Sequence, residues 1–218
     1  PREYEELVAA TLPQGSYELL PKPGIGNYGT YELQIDLLSE SESEFVFFGE
    51  DDYLYRPGAF AQALAFMRSS EAPDFLSLYD HLDYYRLPLH DHPVELTEYG
   101  GQHWRSADST TLSFLTTPEV VRETREVLLS FTRGCHDAAM WMALTKRHLF
   151  NPVRAVALYR QAHRYGRWIY RAWQYNFGQV LFGRKRRLYA PVPALATHLD
   201  EPLLAPGVDW NEVAARFE

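Results

Sequence analysis

The sequence has almost no cysteine. Cys135 is the only one in 218 residues, which excludes an intramolecular disulfide and suits a reducing compartment. No apolar run approaches the length of a membrane span, and the start carries no signal-peptide pattern, so a cytoplasmic location is expected. Positive charge is in deficit. A formal net charge of −8 at pH 7 excludes nonspecific nucleic-acid binding over the whole surface and leaves room only for local basic patches. There is no internal repeat and no low-complexity linker. Residue 1 is Pro rather than Met, from which a start further upstream is expected.

What is present is a globular composition. Apolar residues make up 46% of the chain, enough for a sizeable core. Aromatics reach 15%, which points to stacking surfaces or a wide pocket. The order of periodic segments is α/β. Residues 2–12 predict a helix with Tyr4, Leu7, Val8 and Leu12 on one face, and 16–21 a strand. Helix is predicted from about Thr30 to Leu38, then a strand over 44–49 whose continuous apolar run suits a parallel sheet covered on both faces. Pro57 opens another helix, and 74–80 and the Thr-rich 109–117 predict strands. Pro118 starts a helix, 137–150 predicts the next, and 152–183 is helical, aromatic and basic. Residues 81–108 lack a clean period, and the chain from about Tyr189 is a Pro-rich extended tail.

The chemistry concentrates where the 44–49 strand runs into Glu50, Asp51 and Asp52. Adjacent carboxylates repel and are costly to desolvate, so a core strand that ends in three of them needs a cation or a solvated turn. A divalent ion holding a diphosphate fits, since Mg2+ and Mn2+ prefer carboxylate oxygens and keep positions open for phosphate. Paired hydrolytic carboxylates fit as well. The plain alternative is a solvated strand end. Strand ends are nonetheless where open α/β sheets bind ligands.

The stretch from Asn27 to Phe60, with "EDDYLYRPGAF" at its centre, resembles the nucleotide-sugar-binding half of glycosyltransferases with the GT-A fold, of the family-2 type. In that family a helix precedes a strand ending in an acidic DXD-type motif. The resemblance implies a mostly parallel open sheet flanked by helices. It implies a GT-A-like donor and acceptor domain over 1–150, its first strand-helix-strand unit missing, with a helical and extended segment over 151–218 packing on it. It implies Asp52 as the direct ligand of Mn2+ or Mg2+, with Glu50 and Asp51 on the nucleotide ribose or on water around the metal. It also implies a nucleotide-diphosphate sugar as donor and a saccharide, lipid or protein hydroxyl as acceptor, with inversion preferred.

Three further segments are read beside it. In "RGCHDAAMWMALT", Asp137 stands at or near a helix start, where a structural cap is the plain reading. The family places its general base there, so Asp137 is the candidate base and His136 its rival. In "GGQHWRSADSTT", Gly100 and Gly101 allow a tight turn; Trp104 and Arg105 offer a flat face and a charge, and Asp108, Ser109 and Thr110 offer hydrogen bonds to the donor sugar or acceptor. An ordinary core strand is the alternative. In the tail, His198 is a candidate second metal ligand, as in many family members, or else a plain structural His. His90 and His92 lack Cys or helical His spacing, which argues against zinc.

The cluster at 183–187 suits donor phosphates, a peripheral membrane surface or solvent alone. Nucleic acid is not expected as a partner. The missing first unit would leave an apolar sheet edge, from which self-association is expected. Two rivals stand beside a metal-dependent glycosyltransferase: a noncatalytic sugar- or partner-binding domain, and a metal-dependent phosphohydrolase using Glu50, Asp51 and Asp52.

Overall fold

The computed structural model describes residues 2–111 and 113–217. The first part runs α1 (Arg2–Thr11), α2 (Gly26–Glu40), β1 (Val46–Phe48), β2 (Tyr53–Tyr55), α3 (Ala59–Met67), β3 (Phe75–Leu76) and α4 (Asp83–Arg86). It continues with β4 (Leu96–Tyr99), β5 (Gln102–Ala107), β6 (Phe114–Thr116), α5 (Pro118–Leu128), α6 (Asp137–Thr145), α7 (Pro152–Gln161) and α8 (His163–Leu181). The chain closes with β7 (Leu188–Val192), β8 (Ala196–His198) and α9 (Trp210–Ala214). Residues 16–21, expected as a strand, have no regular structure. The strand expected over 109–117 forms only at β6, and Leu112 within it lies outside the described residues.

Six strands form one sheet in the order β1-β6-β3-β7-β5-β4, and β2 pairs with β8 beside it. The expected mostly parallel sheet is corrected here. Only β3 and β7 are parallel neighbours; the other four pairings are antiparallel. The apolar run of β1 misled because burial on both faces, not strand direction, makes a strand apolar throughout. Phe48 enters a core with α2, α5, α6 and α8, while Phe47 packs toward the opposite core built on Ala63 and Phe66 of α3. Successive residues of β3 and β7 divide likewise, Phe75 and Leu188 to one side and Leu76 and Tyr189 to the other.

Local chemistry sets the helix starts. The Thr117 hydroxyl accepts from Val120 N ahead of Pro118, and the Asn151 side chain accepts from Arg154 N ahead of Pro152. The β4–β5 hairpin turns on Gly100 and Gly101, with φ of 62° and 79°, the successive positive values that a two-residue hairpin turn requires. Helix α8 is kinked at buried Asn176, whose amide turns aside to Ser130 Oγ at 3.2 Å and to Cys135 Sγ at 3.7 Å.

The C-terminal tail is not peripheral. Its strand β7 lies between β3 and β5, inside the sheet. Asp74, just before β3, fixes it there. One Asp74 oxygen accepts from Arg184 and from Arg186 Nη1 at 3.1 Å, and the other accepts from the backbone N of Arg187 at 2.8 Å. Arg186 is itself buried and also donates to Glu123 at 2.7 Å. Removing one partner of a buried pair leaves an uncompensated charge. Asp74→Ala should therefore lower the unfolding free energy by about 3–5 kcal/mol in urea titrations, and Asp74→Asn by clearly less.

Candidate functional site

Strand β1 delivers the three carboxylates through Gly49. A Cβ there would meet the Phe47 ring at 2.7 Å, so any larger residue at the point where the strand leaves the sheet would push that ring aside. Glu50, Asp51 and Asp52 then line a hollow of about 490 Å³, walled by Asn27, Thr30, Tyr31 and Gln34 of α2 and by Phe131. Burial of its carboxyl end pushes the Glu50 pKa up, as do Asp52 and Asp51, while His198 and Ser113 draw it back. The residue as a whole stays exposed, so water screens these effects.

The tail meets this site. Pairing of β2 with β8 places Tyr53 opposite His198, and Leu199 N donates to Asp52 O at 2.8 Å. His198 Nε2 lies 3.0 Å from Asp52 Oδ2, and the Tyr53 ring meets the imidazole edge-on at 5.4 Å. His198 Nδ1 accepts from Asp200 N at 3.0 Å, so the ring proton sits on Nε2 and points at the carboxylate. In this arrangement His198, expected as a metal ligand, is a donor that orients Asp52. The other Asp52 oxygen, Oδ1, is buried and has no partner. That atom fits a cation; a His198 nitrogen would first have to give up its hydrogen bond to Asp200 or its proton.

A second hollow, of about 110 Å³, gathers His81, Asp83, Ser109, His136, Asp137 and Trp168. The cap of α6 is His136, and Asp137 is the first helical residue. The Ala138 N–H reaches Asp137 Oδ1 at 2.6 Å and His136 Nδ1 at 3.2 Å, and the imidazole touches the same carboxylate oxygen. Trp168 lies over His136 with centroids 4.7 Å apart. The two hollows share an electrostatic neighbourhood. Burial pushes the His81 pKa down, opposed by Asp83 and Asp137 and reinforced by His198. Tyr31, in the wall of the larger hollow, has its phenol raised first by burial and then by Asp137.

Three expected donor contacts lie elsewhere. Trp104 is fully buried, stacked on Phe66 at 4.6 Å in the core behind the sheet, and cannot present a face to a sugar. Arg105 is buried over the rings of Tyr84 and Tyr85, at 5.0 and 5.2 Å. Asp108 is buried among basic side chains: Arg147 Nε at 3.1 Å, His148 Nε2 at 3.3 Å, and His92 Nε2 closer still. Burial alone would raise its carboxyl, but hydrogen bonds from His148 and His92 outweigh burial and hold it well below the usual range. His92, Asp108 and His148 are the one group of three ligand-type side chains, among the described residues, whose atoms lie within 4.8 Å of one another. Arg147 already balances the carboxylate they share. Of the residues expected near 108, Ser109 and Thr110 face a hollow.

His81 and Asp83 escaped sequence reasoning because 81–108 has no period. The signal that reaches them is their place just beyond β3, the same strand-end logic that singled out Asp52. In the 183–187 cluster, Arg184 and Arg186 are committed to Asp74, and Arg187 donates to Ala72 O. Cys135 is buried, with its thiol pushed up by that burial. No protein-family model matches the chain, nor does any curated protein or solved structure.

Asp80, beside His81, gives a pH signature. It is 1% exposed, Tyr85 donates to Oδ2 at 2.5 Å, and Oδ1 has no partner. Burial raises its carboxyl from 3.8 to about 6 against the pull of Tyr85 and Arg105. The native state thus holds a proton that the unfolded chain has released between these values, and stability falls as pH rises through about 6. Asp80→Asn should match the parent near pH 4 and exceed it at pH 8 by up to roughly 3 kcal/mol in urea titrations.

Proposed function

We propose that this chain is a metal-dependent glycosyltransferase of the GT-A type that moves a sugar from a nucleotide diphosphate to an acceptor hydroxyl with inversion. The observation that carries the reading is the meeting of a strand-end acidic motif with a histidine from the far end of the chain: His198 on Asp52, over a hollow large enough for a nucleotide. Asp137 opens the helix facing the adjoining hollow. The resemblance of the "EDDYLYRPGAF" stretch asked for these three elements together, from segments of the chain that are remote in sequence.

The chain's own groups divide the work. Asp52 offers the unpartnered Oδ1 to a divalent ion while His198 holds Oδ2 and fixes the carboxylate's orientation. Such an ion, when bound, neutralises charge on the diphosphate. Asp137, the first residue of α6, accepts the proton of the acceptor hydroxyl. The acceptor oxygen bonds to the anomeric carbon as the bond to the phosphate oxygen breaks, and the nucleoside diphosphate leaves with the electron pair. Ser109 and Trp168 border the space beside Asp137 and are placed to position the acceptor. The Ala138 N–H, donating to Asp137 Oδ1 at 2.6 Å, holds the carboxylate in place beside His136.

Two variants test the division. Asp52→Ala should abolish Mn2+-dependent binding of a nucleoside diphosphate in calorimetry while the thermal unfolding profile persists; unchanged metal dependence would remove Asp52 from the site. Asp137→Asn should leave that binding intact and cut turnover by on the order of 100-fold or more. An active Asp137→Asn beside an inactive His136→Ala would transfer the base role to His136. Loss of the sugar as free sugar or sugar phosphate, with no acceptor product, would favour a hydrolase instead.

A further inference from the structure

Charge is distributed very unevenly along this acidic chain. Residues 138–199 hold eleven of its 21 Lys and Arg and none of its 29 Asp and Glu. Helices α7 and α8 lie within that segment and pack on each other around buried Leu158 and Tyr165. Their inner side is satisfied: α8 sets Ala172 and Val180 into the core against α6. Their outer side is not the polar surface that water would favour. Val153 is 79% exposed, Tyr170 65%, Phe177 56% and Phe182 83%. Tyr170 and Phe177 stand seven residues apart on one stripe of α8, and Val153 and Val156 share a stripe of α7. Between the helices Val156, Tyr159, Ile169 and Tyr170 line an almost wholly apolar hollow of about 360 Å³, with Arg167 at its margin.

The exposed cations alternate with these rings. Arg160, Arg167 and Arg171 are exposed and have no carboxylate within ion-pair distance among the described residues. No helix here is long and apolar enough to cross a membrane. A face of aromatic and aliphatic side chains interleaved with unpaired Arg, on an otherwise acidic protein, is complementary to a surface that is apolar below and anionic above. We propose that the outer face of α7 and α8 docks on an anionic lipid bilayer, lying in the headgroup plane. This relocates membrane contact from 183–187, whose arginines are largely spent on Asp74, to the two helices before it. The docking does not rest on the transfer reading.

Flotation of the full chain with vesicles tests it. The protein should float with phosphatidylglycerol–phosphatidylcholine vesicles and not with phosphatidylcholine alone, and binding should weaken steeply as salt rises. The triple variant Arg160→Gln, Arg167→Gln, Arg171→Gln should bind the anionic vesicles at least about tenfold more weakly. Phe177→Ser with Phe182→Ser should also weaken binding, with the thermal unfolding profile of both variants kept at the parent's. Absence of flotation with anionic vesicles, or equal flotation of the triple variant, would overturn the proposal. So would a dimer in sedimentation equilibrium that Phe177→Ser with Phe182→Ser dissolves, since the face would then belong to a second copy.

Discussion

The sheet depends on one carboxylate. Asp74 collects two guanidiniums and a backbone N–H from residues 184–187, and the strand that follows them, β7, is the only link between β1-β6-β3 and β5-β4. Without β7 the described sheet divides into two pieces that share no hydrogen bond. Everything at the candidate site follows from that attachment. Once β7 is seated, the chain passes through Pro193 and returns along β2, which sets His198 against Asp52. The same acidic residue that closes the sheet thus places the tail histidine, by way of two strands.

Three buried aspartates show how partners, not burial, decide what a carboxylate does here. Asp74 and Asp108 are each met by Arg, and Asp108 by two histidines as well, so both serve as fixed negative anchors. Asp80 is as deeply buried but receives only a phenol, with Arg105 drawn aside over two tyrosine rings. Its carboxyl accordingly rises where that of Asp108 falls. The acidic strand end is a fourth case. Asp52 has a donor on one oxygen and nothing on the other, which leaves it the capacity to bind.

Much of the helical part could be read from the sequence, because caps, prolines and apolar spacing act locally. Pro57 and Pro118 placed α3 and α5 within a few residues, and the helical stretch read over 152–183 is α7 and α8. Strand direction could not be read. A doubly covered strand is apolar throughout whichever way its neighbours run, so Val46–Phe48 carried no information on pairing. Nor could composition show that the Pro-rich tail enters the middle of a sheet, since Pro191 argues against a central strand. The acidic site and Asp137 were legible as chemical types at element ends. Trp104, Arg105 and Asp108 were misjudged for a related reason: β5 is covered on both faces, so polar and aromatic side chains that would mark a cleft on an exposed strand are internal here. Of their partners, His92 and the tyrosines after β3 come from a segment without periodicity, and His148 from the turn after α6, where helix was expected.

The position of β7 also bears on how the protein is made. Ribosomal synthesis proceeds from the N-terminus, and five of the six sheet strands are complete by Thr116. They cannot join until residues 188–192 have emerged, so the nascent chain carries two open sheet edges, at β3 and at β5, through the synthesis of some seventy intervening residues. During that interval the apolar faces of Phe75, Trp104 and Phe114 lack one of their neighbours. Until its last strand arrives, such a chain is open to pairing with any neighbouring strand.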